Sequence, residues 1–576
     1  MAKSTPSTLD LSHNHVENVA IPRNEGIRRK IVGSFKRDTD FTPADISSPD
    51  NDIEAGARNV ATSPLHRRLK SRHLQMIAIG GSIGTGLFVG SGAVLAAGGP
   101  ASVLIAYSLI GCMIYCMVHA LGEMAVLFPV AGSFAHYATR FIDPAWGFAM
   151  GWNYALQWLI TLPLEIVAAS LTVDFWNPGI PNAVWAAVFW VLIVSINLFG
   201  VKGYGEAEFL FSLIKVIAVV GFIILGIILD CGGGPDGNYI GGKHWHDPGA
   251  FNNGFKGLCS VFVNAAFAFG GTELVGLAAA ETENPRKSLP SAIKQVFWRI
   301  TLFYIISLTL VGLLVPYTDE RLVSGQSSVD AQASPFVIAI ENAGIAGLPS
   351  VMNVVILISV LSVGNSSVYA SSRTLAALAD QHQAPQFLSY IDRKGRPIWS
   401  ICVASALGLL CFLAASDKQT EAFLWMVAIS GLSCLFTWGS VCLCHIRFRR
   451  GWKVQGHSLD ELTFRSQPGV IGSWVGFLFI CLVLVTQFWI GVAPVGYETM
   501  SSMEVAKSFF SSYLAAPIVI LFYIPYKLIF RTKFIRSKEM DLVTGRRDMD
   551  IRHGVELERV EQAQWPAWKR VYKWFC

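Results

Sequence analysis

Residues 79–90 read Ile79-Gly80-Gly81-Ser82-Ile83-Gly84-Thr85-Gly86-Leu87-Phe88-Val89-Gly90. This apolar stretch contains five glycines, each of which lowers helix propensity by up to about 1 kcal/mol relative to alanine. A second window reads Ala266-Phe267-Ala268-Phe269-Gly270-Gly271-Thr272-Glu273-Leu274-Val275-Gly276 and carries a Gly-Gly pair and an acid. Two readings are open for both windows. Small residues can let helices pack closely, as in GxxxG pairs. Alternatively, each window breaks a membrane-spanning helix midway. Gly84-Thr85-Gly86-Leu87 resembles Gly271-Thr272-Glu273-Leu274, and paired interruptions at corresponding places in two halves of a chain point to a transporter binding site. A dinucleotide-binding loop is excluded, because no strand precedes the glycines.

Hydropathy outside these windows supplies the setting. About 20 apolar residues cross a bilayer core as a helix. Twelve such stretches are predicted: 74–97, 102–128, 146–173, 183–199, 209–229, 255–280, 296–315, 351–378, 398–415, 423–444, 475–492 and 513–529. The two glycine windows fall in the first and sixth, which run in opposite directions. Positive residues set the orientation. Arg67, Arg68, Lys70 and Arg72 precede the first span, and Arg531, Lys533, Arg536 and Lys538 follow the last. Both termini are therefore expected in the cytoplasm. Predicted inner loops hold 13 Lys/Arg, among them Arg140, Arg396 and Arg447, against five in outer loops.

Composition agrees. The 576 residues are 52% hydrophobic and only 15% charged, with a mean hydropathy of +0.46; soluble domains carry about 25% charged residues. Residues 1–72 and 531–576 together hold 39 of the 85 charges. The net charge of +5 thus comes from tails of mixed sign, unlike the basic face of a nucleic-acid binder. The tail 1–72 is polar and reads as disordered. No apolar stretch precedes residue 74, so no cleaved secretory signal is expected. The 11 cysteines lie mostly in apolar spans and suggest no disulfide framework. Cys442, Cys444 and His445 lie close together, but no second ligand pair completes a metal site, and no cofactor motif occurs.

Charges inside a membrane are functional hypotheses. Glu165 lies deep in the third span, Lys215 in the fifth and Glu273 at the break of the sixth. These are the candidates for proton coupling. Snorkelling is the alternative for Lys215. Arg299 and Arg373 are expected to snorkel, Glu206 and Glu208 to face water, and Glu123, near His119, to pair within the scaffold.

The physics of a broken helix is specific. Unwinding frees backbone groups, which is tolerable only along a cavity. Half-helix N-termini suit a carboxylate, and exposed carbonyls suit an ammonium. A cavity with both fits a zwitterion, and so an amino acid.

The run from Phe267 to Gly276, followed by Ala280-Glu281-Thr282-Glu283-Asn284-Pro285-Arg286-Lys287-Ser288-Leu289-Pro290, resembles the signature of fungal amino acid permeases of the amino acid–polyamine–organocation superfamily. Ser82–Phe88 and Pro163-Leu164-Glu165-Ile166-Val167-Ala168-Ala169 fit the same family. The tail motifs Met540-Asp541-Leu542-Val543-Thr544-Gly545-Arg546-Arg547 and Trp574-Phe575-Cys576 are similar to those of general amino acid permeases. The resemblance spans nearly the whole membrane body. It implies an all-α polytopic membrane protein of the leucine-transporter type, with 12 transmembrane helices as a 5+5 inverted repeat plus two. Residues 73–445 would form the repeat core and 446–530 the two added spans. It implies proton-coupled import of L-amino acids across the fungal plasma membrane. By motif, Ser82, Gly84, Thr85 and Gly86 would contact the substrate carboxylate. Phe267 and Gly270 would offer carbonyls to the amine, the Phe267 ring would cover the substrate, and Thr272 joins this substrate-binding set.

Broad specificity is preferred, because no acid beyond Glu165 and Glu273 awaits a basic side chain. A permease narrow for neutral, aromatic or proline substrates, or a sensor with a carrier fold, are the alternatives. An enzyme is not expected, since HExxH, GxSxG and P-loop motifs are absent. The family resemblance suggests that ubiquitin ligase adaptors act on the tails, at Lys3, Lys30 or Lys36. Residues 555–572 could form an amphipathic helix, and Cys576 could carry a palmitoyl group.

Overall fold

The computed structural model describes residues 33–37, 58–81, 83–235, 237–324, 334–415, 419–546 and 566. Ser82, Lys3, Lys30, the stretch 555–572 apart from residue 566, and Cys576 lie outside the described residues. Among those described, the chain is helical and holds only two isolated β-bridges, Arg37 with Asp392 and Leu69 with Thr282.

The first span starts as α1 (Ser71–Gly80), breaks, and resumes as α2 (Thr85–Phe88) and the first turns of α3 (Gly90–Leu127). The helical conformation of α3 is interrupted at Gly99, just before Pro100. That interruption separates the first and second predicted spans. A short helix α4 (Ser133–Phe141) follows. Then comes α5 (Pro144–Val173), started by the Asp143 side chain, which accepts the Ala145 N–H at 2.9 Å, with proline at the first helical position. Next are α6 (Asn182–Leu198) and α7 (Gly200–Asp230).

The sixth predicted span is three pieces: α8 (Gly254–Ser260), α9 (Phe262–Phe269) and α10 (Leu274–Leu277). Residues 270–273 break the helix between the last two. Then come α11 (Pro285–Arg299), a wide π-type stretch Ile300–Ile306, and α12 (Ser307–Leu314). Two short helices, α13 (Glu320–Ser324) and α14 (Pro335–Asn342), precede α15 (Leu348–Asp380). The remainder is α16 (Ile398–Gly408), α17 (Gln419–Val454), α18 (Gly469–Val492), α19 (Ser502–Tyr513) and α20 (Ala515–Phe530). A capping box between Ser501 and Glu504 starts α19, and α19 and α20 meet at 62°.

Among the described residues, eight helices are long and apolar enough to cross a membrane, or nine if α19 and α20 count as one span; α6 and Ile398–Leu413 are shorter apolar helices. The outer helices show what surrounds them. On α7, Ile217, Val220, Ile224 and Ile227 are exposed, and on α18 so are Ile471, Trp474, Leu478, Leu482 and Val485. Spacings of three and four residues put each set on one helix face. A soluble protein turns such a stripe inward; here it faces out, as contact with lipid requires. The most buried helices are α5 and α15, which pack along each other at the centre of the molecule. The chain is therefore a multi-pass membrane protein built around α5 and α15, with both broken helices beside them.

Candidate functional site

The breaks begin with backbone groups that lack helical partners. The last carbonyls of α1 have no intrahelical donor, and the fold supplies others. Ile77 O accepts the Gly81 N–H at 3.0 Å. Ala78 O accepts from the Arg299 guanidinium at 2.6 Å. Gly80 O accepts from the Lys215 ammonium at 2.9 Å and from the Ile83 N–H at 3.0 Å. Two buried cations thus cap the negative end of one half-helix, the placement the helix dipole favours.

The sixth-span break is closed similarly. Thr272 donates both its N–H, at 3.3 Å, and its hydroxyl, at 2.6 Å, to Phe269 O. Tyr304 donates to Ala268 O at 2.7 Å. Glu273 accepts the Gly271 N–H at 3.3 Å and the Trp438 indole N–H at 3.1 Å. Gly271 has φ +92°, a left-handed conformation open to glycine and strained for other residues. Arg299 also donates to the Thr272 hydroxyl. One guanidinium from α11 therefore ties both breaks together.

The two broken helices also touch directly. A Cβ added to Gly86 would lie 2.4 Å from the Ala268 Cα, so glycine is required there by close approach. Beside this crossing lies a cavity lined by Gly84, Thr85, Gly86, Glu165, Phe267 and Gly270, together with residues of α5, α15 and α17. It is small, about 20 Å³, room for about one water. Phe267 is half-buried at its edge, and Phe267 O already accepts the Gly270 N–H at 3.0 Å, which leaves one lone pair for a further donor. Thr85 donates its hydroxyl to Glu165. The first turn that follows Gly84 leaves the N–H groups of Thr85 and Gly86 without intrahelical acceptors.

Of the predicted residues, Gly84, Thr85, Gly86, Glu165, Phe267 and Gly270 therefore share one cavity. Thr272, Glu273 and Lys215 do not line it; they hold the backbone of the breaks from behind. Lys215 does not snorkel. It is fully buried, donates to Ser362 Oγ at 2.8 Å and lies 3.8 Å from Glu208.

Three expectations fail. Glu208 does not face water: it is fully buried and accepts from Ser362 Oγ at 2.8 Å on both oxygens. Its neighbour Glu206 is exposed and pairs with Arg72 at 2.5 Å, because two residues turn a helix by roughly 200°. Arg299 does not snorkel, since its head is the clamp just described. Nor does Arg373, which is buried and pairs with Glu281 at 3.3 Å. The spacing of Glu208, Ser212 and Lys215 along one helical face was a readable sign of the buried set. Glu123 does pair within the scaffold, with Arg449 at 2.5 Å and His445 at 3.2 Å. Cys442 and Cys444 are buried, and His445 bonds Ser473 Oγ at 2.7 Å.

Comparison with known proteins agrees with the geometry. A family model described as "Amino acid permease" matches residues 73–539. The general amino-acid permease GAP2 of Candida albicans is 60% identical over 553 residues, covering 95% of this chain and 93% of that one. The general amino-acid permease GAP1 of Saccharomyces cerevisiae is 54% identical, covering 99% and 97%. The histidine permease of Saccharomyces cerevisiae is 49% identical, covering 91% and 87%.

Proposed function

The chain belongs to the amino acid permease family, and on that premise we propose that it imports L-amino acids across the plasma membrane together with protons, by alternating access. The observation that carries this reading is the cavity between the two helix breaks. The Thr85 turn, with free N–H groups, lies on it, as do Phe267 and Gly270, whose carbonyls we assign to the ammonium. Those groups complement the carboxylate and ammonium that all amino acids share. Recognition of the common part by main chain supports broad specificity, with side-chain preference left to the flanking residues. Twelve spans in a 5+5 inverted repeat plus two, residues 73–445 as core, 446–530 as the added spans and both tails cytoplasmic complete the proposal. Ser82 is assigned to the carboxylate by its motif alone. Thr272 acts behind the cavity, through Arg299 and the Phe269 carbonyl, rather than on the substrate.

The three ionisable groups take different parts in this scheme. Glu165 is the proton carrier, because it lines the cavity and exchanges a hydrogen bond with Thr85. A protonated Glu165 donates where the ionised form accepts, so proton and substrate act on one turn. Lys215 reports to the end of α1 through Gly80 O. Glu273 clamps the sixth-span break. One proton entering with a neutral zwitterion contributes about 2.3 kcal/mol per 100 mV of potential.

The test is uptake of labelled amino acids by intact cells, with extracellular pH recorded and a panel of the twenty amino acids. Many substrates should be accumulated with alkalinisation of the medium. Glu165→Gln at equal surface expression should retain exchange and lose pH-dependent accumulation. Wild-type accumulation and pH dependence in Glu165→Gln would refute the assignment.

A further inference from the structure

At the end of α20 opens a second, larger space that the transport scheme does not use. It is a crevice of about 1220 Å³ between the last turns of α17 and residues 532–539. Its walls carry Arg447, Arg450, Lys527, Lys533, Arg536 and Lys538, against one acid, Glu539. Lys527 is balanced by the buried Asp143. Arg447 donates only to main-chain carbonyls, at Phe141, 2.6 Å, and at Ile535. Arg450, Lys533, Arg536 and Lys538 have no carboxylate partner among the described residues. Five cations therefore line one concave wall with a single exposed acid beside them. Such a wall carries a positive potential that attracts polyanions.

The surroundings say which kind. The crevice begins where α20 ends, and Leu528, Ile529 and Phe530 on the last turn of that helix are exposed, as is Phe534 in the crevice wall. An apolar rim beside a cationic pocket, at the point where a span leaves hydrocarbon, matches a lipid with its headgroup in the pocket and its chains along the helix. A headgroup with one phosphate would neutralise only one or two of the five cations. We infer that this crevice binds the multiply phosphorylated headgroup of an inner-leaflet lipid. The inference rests on the membrane placement proposed above and not on the transported substrate, and its test reads lipid binding rather than uptake, so the two fail separately.

The full-length protein in phosphatidylcholine nanodiscs is titrated with three probes, and its thermal midpoint is followed. The probes are dioctanoyl phosphatidylinositol bisphosphate, dioctanoyl phosphatidylserine and soluble inositol trisphosphate. The bisphosphate lipid should raise the midpoint and bind at least about tenfold tighter than either other probe, with binding that weakens as salt rises. The variant carrying Arg450→Gln, Lys533→Gln, Arg536→Gln and Lys538→Gln should bind it at least about tenfold more weakly while keeping the lipid-free midpoint, because all four side chains are exposed. Unchanged affinity in that variant overturns the site. Equal binding of soluble inositol trisphosphate overturns the lipid as the source, and equal binding of phosphatidylserine overturns the need for several phosphates.

Discussion

Lys215 shows how one side chain joins helix geometry to chemistry. Its ammonium lies within hydrogen-bonding reach of Gly80 O and Ser362 Oγ, with Glu208 3.8 Å away. Removing one member of a buried pair leaves an uncompensated charge, which costs about 3–5 kcal/mol. Glu208→Ala should accordingly lower the thermal midpoint far more than Glu206→Ala, whose carboxylate pairs at the surface, where such pairs contribute about 0–1 kcal/mol. Equal midpoints in the two variants would show that Glu208 is not part of the buried set. Scarcity of charge singles out Glu165, Lys215 and Glu273 in the sequence. Scarcity alone misplaces Glu208 and Arg299, because distance from a predicted span end says nothing about which face of the helix a residue occupies. That information lies in the helical period, and for Arg299 in a tertiary contact with Ala78 that no local pattern encodes.

At the scale of elements, the breaks are legible because glycine density and β-free context leave few alternatives, and both readings of the glycines hold at once. Gly271 serves the backbone break, whereas Gly86 serves close packing against Ala268. Gly86→Val should force α2 and α9 apart at a cost of about 1–3 kcal/mol. At equal surface expression it should abolish uptake, and uptake at the wild-type rate would contradict the crossing. Short helices such as α4 escape a search for 20-residue apolar stretches, yet α4 matters, because the chain after α20 docks on it. Arg140 pairs with Asp541 at 3.1 Å, Ile535 N–H donates to Ile142 O at 3.0 Å, and Met540 and Leu542 are buried.

That docking has a pH dependence of definite sign. Burial alone would raise the pKa of Asp541, but Arg140 and the N–H groups of Thr544 and Val543 outweigh it and hold the carboxyl below its ordinary value. A depressed pKa gives stability that is complete above the unfolded value of about 3.9 and fades as pH falls below it. Protection of the amides of residues 531–546 against hydrogen exchange, relative to the intrinsic rate at each pH, should therefore hold from about pH 8 to 5 and be lost below about 4. Asp541→Asn should be fast already at neutral pH. Exchange in that variant as slow as in the wild type would show that the pair does not hold the segment.

For the whole molecule, composition and hydropathy give the multi-pass class. They do not give the packing of α5 along α15 that brings Glu165 to the Thr85 turn, since that contact joins residues 80 positions apart. Nor do they show how little room the cavity offers: the proposed substrate would enter only if Phe267 and the broken helices moved, as the proposed alternating access requires. The most direct measurement uses the purified full-length protein in proteoliposomes with a pH dye inside and a membrane potential negative inside. Adding external amino acid should acidify the lumen as the substrate accumulates, and Glu165→Gln should remove the acidification. Accumulation of amino acid with no proton entry in the wild type would contradict the account.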